Sequence, residues 1–128
     1  MQFLIIEDSD YKRDAIYAAL RDLGYVNIAF AKNTVQGLRA LESNSFDVLI
    51  LDNNFPLRDG EFPKIDAGLS LLRRLDKALS WQEVASKIKV ILCSSDDLDT
   101  DTYDYVNVIG TIKYNVGVDL HSCFENIL

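Results

Sequence analysis

Four apolar segments of this 128-residue sequence end in residues that could do chemistry. In chain order these residues are Glu7 and Asp8, Asp52, Ser94, and Lys113. If the fold brings the three carboxylates together, they repel one another, so one pKa must rise or a cation must bind between them. A site that offers oxygen ligands and leaves space for bound water favours Mg²⁺ among the metal ions. The sequence therefore predicts a magnesium site, provided that the segments end at one place.

An ammonium and a hydroxyl beside such a metal supply what a phosphoryl group requires. Mg²⁺ and Lys113 would neutralise charge on the transferring oxygens, and the Ser94 hydroxyl would orient one of them. A carboxylate in this setting can act as a nucleophile and form an aspartyl-phosphate. Taken singly, Lys113 would be an ordinary surface lysine and Ser94 a helix cap. Their occurrence together favours phosphoryl chemistry.

Alternating strands and helices would position these residues. Residues 3–6 form a continuous apolar run, typical of a strand buried on both faces, and residues 26–30, 46–51, 89–93 and 108–112 are predicted to form four further strands. Helical spacing of apolar residues occupies 15–23, 35–41, 69–79 and 116–127. This alternation implies right-handed crossovers and a parallel sheet, hence a three-layer, doubly wound α/β fold. Ligands of such sheets bind beyond the carboxyl ends of the strands, where the candidate residues fall.

Helix caps can also be predicted from the sequence. Ser9 or Asp10 can cap the first helix, and the pair Asn33-Thr34 the second. Ser80 and Glu83 have the spacing of a capping box, which predicts a short extra turn. The acidic run over residues 96–104 is only weakly helical.

Composition excludes several classes of function. The formal net charge of −7 argues against non-specific electrostatic binding to nucleic acid or to an anionic membrane. No apolar run reaches the roughly 18 residues of a membrane span, and the N-terminus lacks the features of a signal peptide. Two cysteines, Cys93 and Cys123, are too few for a disulfide framework. We expect a cytoplasmic protein with both thiols reduced and Cys93 packed as a small hydrophobe.

The ordered set of motifs resembles the receiver domains of two-component response regulators. The resemblance rests on residues 3–8 (FLIIED), 46–56 (FDVLILDNNFP), 68–72 (GLSLL), 90–95 (VILCSS) and 112–113 (IK). It implies a five-stranded parallel sheet in the order 2-1-3-4-5 with helices on both faces. It also implies one receiver domain over residues 1–128, with an inserted loop at about 57–67.

The resemblance implies a role for each candidate residue. Asp52 would accept the phosphoryl group, Ser94 would hydrogen-bond it and Lys113 would pair with it. The Mg²⁺ ligands would be Asp8, Asp52, the backbone carbonyl of Asn54, and Glu7 directly or through water. The donor would be a histidine kinase or phosphotransfer protein. Output would pass to a downstream protein target, and slow self-dephosphorylation would be the sole enzymatic activity.

Three positions depart from the family pattern. Tyr114 follows Lys113 where the family has proline, so we expect a trans peptide bond there. Gly110 stands where the family has a switching aromatic residue, so the signal must use another group (Tyr103, Tyr105 or Tyr114) or the backbone alone. Between Pro56 and Gly68 lie 11 residues, a segment that could gate the site or contact a partner.

Two other classes of function remain alternatives. Gly110 and Tyr114 would suit a pseudo-receiver, a phosphorylation-independent interaction module on the same fold. A phosphatase of the haloacid dehalogenase type is a weaker alternative, because Asn54 stands where its Asp-x-Asp motif needs a second aspartate. Within the leading interpretation, Asp96 is a candidate for placing or blocking the water that hydrolyses the phosphoryl group.

Overall fold

The computed structural model of the chain describes residues 1–98 and 107–128. Its strands are β1 (Gln2–Ile6), β2 (Asn27–Ala31), β3 (Val48–Leu51), β4 (Lys89–Ser94) and β5 (Val108–Lys113). Its α-helices are α1 (Asp10–Asp22), α2 (Thr34–Ser43), α3 (Ala67–Lys77), α4 (Gln82–Lys87) and α5 (Leu120–Ile127), with a 3₁₀ turn at Leu79–Trp81.

The five strands form one parallel sheet in the order β2-β1-β3-β4-β5. The predicted doubly wound α/β fold and its strand order are therefore confirmed. At the carboxyl end of the sheet, Ile6 pairs with Leu51 and Ser94 pairs with Lys113. The residues that follow β1 and β3 consequently emerge side by side at one edge.

Alternate residues of each central strand pack into two separate hydrophobic cores, one on each face of the sheet. In β1, Leu4 and Ile6 pack on the face that α2, α3 and α4 cover. Phe3 and Ile5 pack on the other face, where α1 and α5 lie. All four side chains are fully buried, as the continuous apolar run predicts for a strand covered on both sides.

Two of the predicted helix caps are confirmed. The Ser9 hydroxyl accepts a hydrogen bond from the Lys12 backbone N–H at the start of α1. The Asn33 Oδ1 accepts one from the Gln36 N–H at the start of α2, 2.8 Å long. Each cap satisfies an N–H that has no partner within its helix.

The predicted capping box of the extra turn is wrong. The extra helix α4 exists, but its N-cap is Trp81 and no side chain caps it. The 3₁₀ turn that precedes α4 buries Trp81 and leaves Ser80 exposed, so Ser80 lies one residue too early. Burial of the indole outweighs a single hydrogen bond from a hydroxyl here.

The last helix is shorter than the apolar spacing predicts. It begins at Leu120, because Asp119 caps it by accepting a hydrogen bond from the Ser122 N–H at 3.1 Å. Val116 precedes the helix and is fully exposed, so its assignment to the apolar helix face is wrong.

Residues 57–66 form an ordered, non-helical segment against the start of α2. The Pro56 and Leu57 carbonyls accept hydrogen bonds from the first backbone N–H groups of α2, at 3.0 and 3.1 Å. Asp59 accepts a 2.8 Å bond from the Asn33 side chain, and the Lys64 N–H donates to the Phe55 carbonyl. The segment thus satisfies helix-end groups that would otherwise need water.

Parts of the earlier predictions lie outside the described residues. These are most of the acidic run over 96–104 and the switch candidates Tyr103 and Tyr105. Within the described ranges no peptide bond is cis, so the trans bond predicted between Lys113 and Tyr114 is confirmed. No helix of these ranges is both long and apolar enough to cross a membrane.

Candidate functional site

Three carboxylates meet beyond the ends of β1 and β3. Glu7, Asp8 and Asp52 each offer an oxygen atom, and these three atoms lie within 4.8 Å of one another. Glu7 is buried, with 2 % of its side chain exposed, and Asp52 is 12 % exposed. The pairing of Ile6 with Leu51 places them there, since each carboxylate follows a paired strand end.

A buried lysine that the sequence analysis missed lies among these carboxylates. The Lys12 Nζ is 2.8 Å from Glu7 Oε1 and 3.0 Å from Asp52 Oδ1. It also donates a 2.6 Å hydrogen bond to the backbone carbonyl of Cys93 at the end of β4. The ammonium therefore ties together the carboxyl ends of β1, β3 and β4.

One signal in the sequence could have revealed Lys12. Its position is four residues before Ile16, so it extends the buried stripe of α1 that continues with Ala19 and Leu20. A lysine on an apolar stripe is buried only where an anionic group pairs with its ammonium. Glu7, Asp8 and Asp52 would have been that partner.

Burial and the neighbouring charges set the ionisation of this group. Burial, with a further contribution from the Asp52 charge, raises the pKa of Glu7 to about 7, although Lys12 opposes the rise. Burial by itself lowers the pKa of Lys12, but the carboxylates of Glu7 and Asp52 raise it above its ordinary value. The lysine is therefore a permanent cation at neutral pH.

The donor set fits a hard divalent cation. It consists of carboxylate oxygens, which Mg²⁺ prefers. Within the described residues, Glu7 Oε1 is buried and has no hydrogen bond of acceptable geometry, even though the Lys12 ammonium is close. The charge nearest to this oxygen is the Lys12 ammonium at 2.8 Å, so the position that the oxygen faces already favours a cation.

Asn53 and Asn54 connect the end of β3 to its surroundings. Asn53 is buried, and its amide donates to the carboxylates of Asp66 at 2.9 Å and Asp96 at 3.2 Å. Its Oδ1 accepts a hydrogen bond from the Leu69 N–H. Asn54 Nδ2 donates a 2.7 Å hydrogen bond to the same Asp96 oxygen. The network holds Asp96, the candidate for controlling water, beside the chain that carries Asp52.

Ser94 and Lys113 lie as neighbours at the ends of β4 and β5. Ser94 is buried, and its hydroxyl oxygen accepts a 3.1 Å hydrogen bond from the Asp96 N–H. The Lys113 ammonium contacts Asp97, and 58 % of the Lys113 side chain is exposed. The ammonium that touches Asp52 therefore belongs to Lys12, whereas Lys113 pairs with an exposed carboxylate.

The space beside Gly110 is filled by α5. A Cβ at Gly110 would meet three side-chain atoms of Ile127, at 2.7, 2.9 and 3.0 Å. Ile127 thus covers the position where the resemblance expects a switching aromatic ring.

The sequence matches the response regulator receiver domain family over residues 3–111. The chain belongs to this family. It is 28 % identical over 121 residues to an uncharacterised protein of Sinorhizobium fredii, a match that covers 88 % of the chain and 29 % of that relative. The chain spans less than half the length of the curated relatives that it matches.

Solved structures of response regulators share this fold. Chemotaxis response regulator CheY4 of Vibrio cholerae superposes with a TM-score of 0.70 at 18 % identity, covering 99 % of this chain and 98 % of that one. Response regulator TrrA of Thermotoga maritima, in complex with Mg²⁺ and BeF, gives 0.70 at 22 % identity with both chains fully covered. The receiver-domain family is a family of signalling modules of two-component systems.

Proposed function

We propose that residues 1–128 form one receiver domain that accepts a phosphoryl group on Asp52 in a Mg²⁺-dependent reaction. The observation that carries the proposal is the convergence of Glu7, Asp8 and Asp52 at the carboxyl edge of the sheet. The related TrrA structure, which holds Mg²⁺ and BeF, supports it. The inserted loop of this domain, expected at about 57–67, would end at residue 66, because Ala67 begins α3.

The Mg²⁺ ligands in this proposal are Asp8, Asp52, the backbone carbonyl of Asn54, and Glu7 directly or through water. When bound, the metal supplies positive charge that neutralises the oxygens of the transferring phosphoryl group. The side chain of Asn54 is engaged by Asp96 and by the Asp66 N–H. These two contacts fix the orientation of the Asn54 residue at the edge of the site.

Asp52 would act as the nucleophile. A carboxylate oxygen of Asp52 forms a bond to phosphorus while the bond from phosphorus to the donor nitrogen of a phosphohistidine breaks. The nitrogen keeps the electron pair of that bond. Ser94 already accepts a hydrogen bond through its oxygen, so its hydroxyl hydrogen is available to donate to a phosphoryl oxygen. Lys113 would give up its ion pair with the exposed Asp97 and pair with the phosphoryl group instead.

Partners follow from the same proposal. Receiver domains interact with histidine kinases and with downstream targets. For this chain the donor would be a histidine kinase or phosphotransfer protein, and the output a contact with another protein. We place this exchange in the cytoplasm, without nucleic acid or membrane as a partner.

A pseudo-receiver is the second candidate function. Two observations favour it: the Lys12 ammonium pairs with the Asp52 carboxylate, and Ile127 fills the space beside Gly110. In that case the domain would bind its partner without phosphorylation.

Beryllium fluoride distinguishes the two functions, because with Mg²⁺ it forms a phosphoryl-like adduct on a receptive aspartate. We expect fluorine NMR to show a protein-bound signal that needs Mg²⁺ and is lost in Asp52→Ala. A bound signal that survives in Asp52→Ala would place the adduct elsewhere. The absence of any bound signal in the parent protein would favour the pseudo-receiver.

A further inference from the structure

Lys12 is a cation that the fold builds into the carboxylate cluster. Its side chain is 9 % exposed, so the pair with Asp52 is not a surface ion pair that water screens. The Ser9 cap orients the first turn of α1, and Ile16 anchors the next turn in the core. The ammonium is thereby held where its three partners converge.

The ammonium uses oxygen atoms that a divalent cation would also need. It lies 2.8 Å from Glu7 Oε1 and 3.0 Å from Asp52 Oδ1, so it contacts two of the three carboxylates of the cluster. A divalent ion on these atoms would stand next to a fixed positive charge, and the repulsion would oppose simultaneous occupancy. The two cations are therefore alternatives.

We infer that the Lys12 ammonium competes with the divalent cation for Glu7 and Asp52, so that Lys12 sets the metal concentration at which the site loads. The inference deepens the proposed function and rests on it, since it assigns a regulator to the same magnesium site. In the metal-free protein Lys12 neutralises the carboxylates. In the Mg²⁺-bound protein the Lys12 ammonium moves away from these carboxylates.

Tyr114 offers a place to which the ammonium can move. Its ring centroid is 5.2 Å from the Lys12 Nζ, within the range of a cation–π contact. The lysine stem is flexible, so a short displacement moves the charge from the carboxylates toward the ring face. Tyr114 is the residue found where the family pattern has proline. The buried Lys12 and this family-atypical Tyr114 thus lie next to each other at one site.

Calorimetric titration with Mg²⁺ tests the competition. Lys12→Met removes the ammonium and keeps a chain of similar length, while Lys32→Met removes an exposed lysine that pairs with Asp10 outside the cluster. Both variants change the net charge equally. We expect Lys12→Met to bind Mg²⁺ at least about tenfold more tightly than the parent protein and Lys32→Met to bind within about twofold of it.

The outcomes separate this inference from the proposed function. If the parent protein binds Mg²⁺ and accepts a phosphoryl group, but Lys12→Met binds the metal equally or less tightly, the inference fails and the function stands. If neither protein binds Mg²⁺, both fail. If Lys12→Met binds and the parent binds far more weakly, the competition is supported.

NMR of the lysine side chains avoids any dependence on how the variant folds. In the parent protein labelled with ¹³C and ¹⁵N, we expect added Mg²⁺ to shift the Lys12 ε-methylene signal and leave the Lys32 signal in place. A titration that shifts the Asp8 and Asp52 backbone amides but leaves the Lys12 signal unmoved would overturn the inference, because the metal would then share the site with the ammonium.

Discussion

The α-carbon of Gly68 faces the backbone of Asp52 so closely that a Cβ there would lie 2.2 Å from the Asp52 carbonyl oxygen. The same Cβ would be 3.0 Å from the Asn53 Cα. The Gly68 N–H donates a 2.9 Å hydrogen bond to the Asn53 carbonyl. The start of α3 therefore packs directly on the chain segment that carries the proposed phosphoacceptor.

Substitution Gly68→Ala is expected to destabilise the fold by about 3 kcal/mol, because backbone atoms rather than a flexible side chain must give way. Urea unfolding measures this difference. Gly117→Ala is the matched control, since its Cβ would meet nothing closer than the Asn115 Oδ1 at 3.7 Å. A Gly68→Ala protein as stable as Gly117→Ala would contradict the packing described here.

Asn53 is expected to be as important to stability as a core residue. Asn53→Ala removes three hydrogen bonds and leaves the carboxylates of Asp66 and Asp96 without this donor, at a cost of about 3 kcal/mol. Asn44→Ala, an exposed asparagine after α2, is the control and should change the unfolding free energy by about 0.5 kcal/mol or less. Equal unfolding midpoints of the two variants in urea would count against the network.

Gly110 and Ile127 are expected to be energetically coupled. Gly110→Ala places a methyl group against Ile127, which we expect to cost about 1–2 kcal/mol in unfolding free energy. Ile127→Ala removes the obstructing atoms, so the alanine at position 110 should be tolerated in the double variant. The double-mutant cycle measures this coupling. Strictly additive effects would show that Ile127 does not restrict position 110.

Cys93 is expected to resist alkylation in the folded protein. It is buried in β4, and burial raises the pKa of its thiol to about 12, so no reactive thiolate is present at pH 8. Cys123 lies on α5 and is half-buried, so part of its side chain is accessible to a reagent. Iodoacetamide at pH 8 should therefore add one group to the native protein and two to the unfolded protein, as read by intact mass. Two additions at similar rates in the native protein would contradict the burial of Cys93.

Much of the fold and the carboxylate cluster could be predicted because both depend on local patterns. Continuous apolar runs define the strands, and a parallel sheet then brings Glu7, Asp8 and Asp52 to one edge. Lys12 has a weaker signal, the apolar stripe of α1 that it extends, because its partners Asp52 and the Cys93 carbonyl lie 40 and 81 residues away in the chain. A lysine in the first turn of a helix is ordinarily solvated.

The remaining surprises also come from tertiary structure. The pairing register of β4 and β5 shifts between Val90 and Ile91. The Ile127 side chain of α5 packs against Gly110. Neither the irregularity nor the packing has a signal in the spacing of apolar residues. The absent Ser80 cap is similar, since burial of Trp81 determines where α4 begins.

Phosphorylation of Asp52 is tested most directly by the intact mass of the protein after incubation with acetyl phosphate and Mg²⁺. We expect one added phosphoryl group, which disappears when Mg²⁺ is chelated or when Asp52 is replaced by alanine. An unchanged mass in the parent protein, or an adduct that persists in Asp52→Ala, would contradict it.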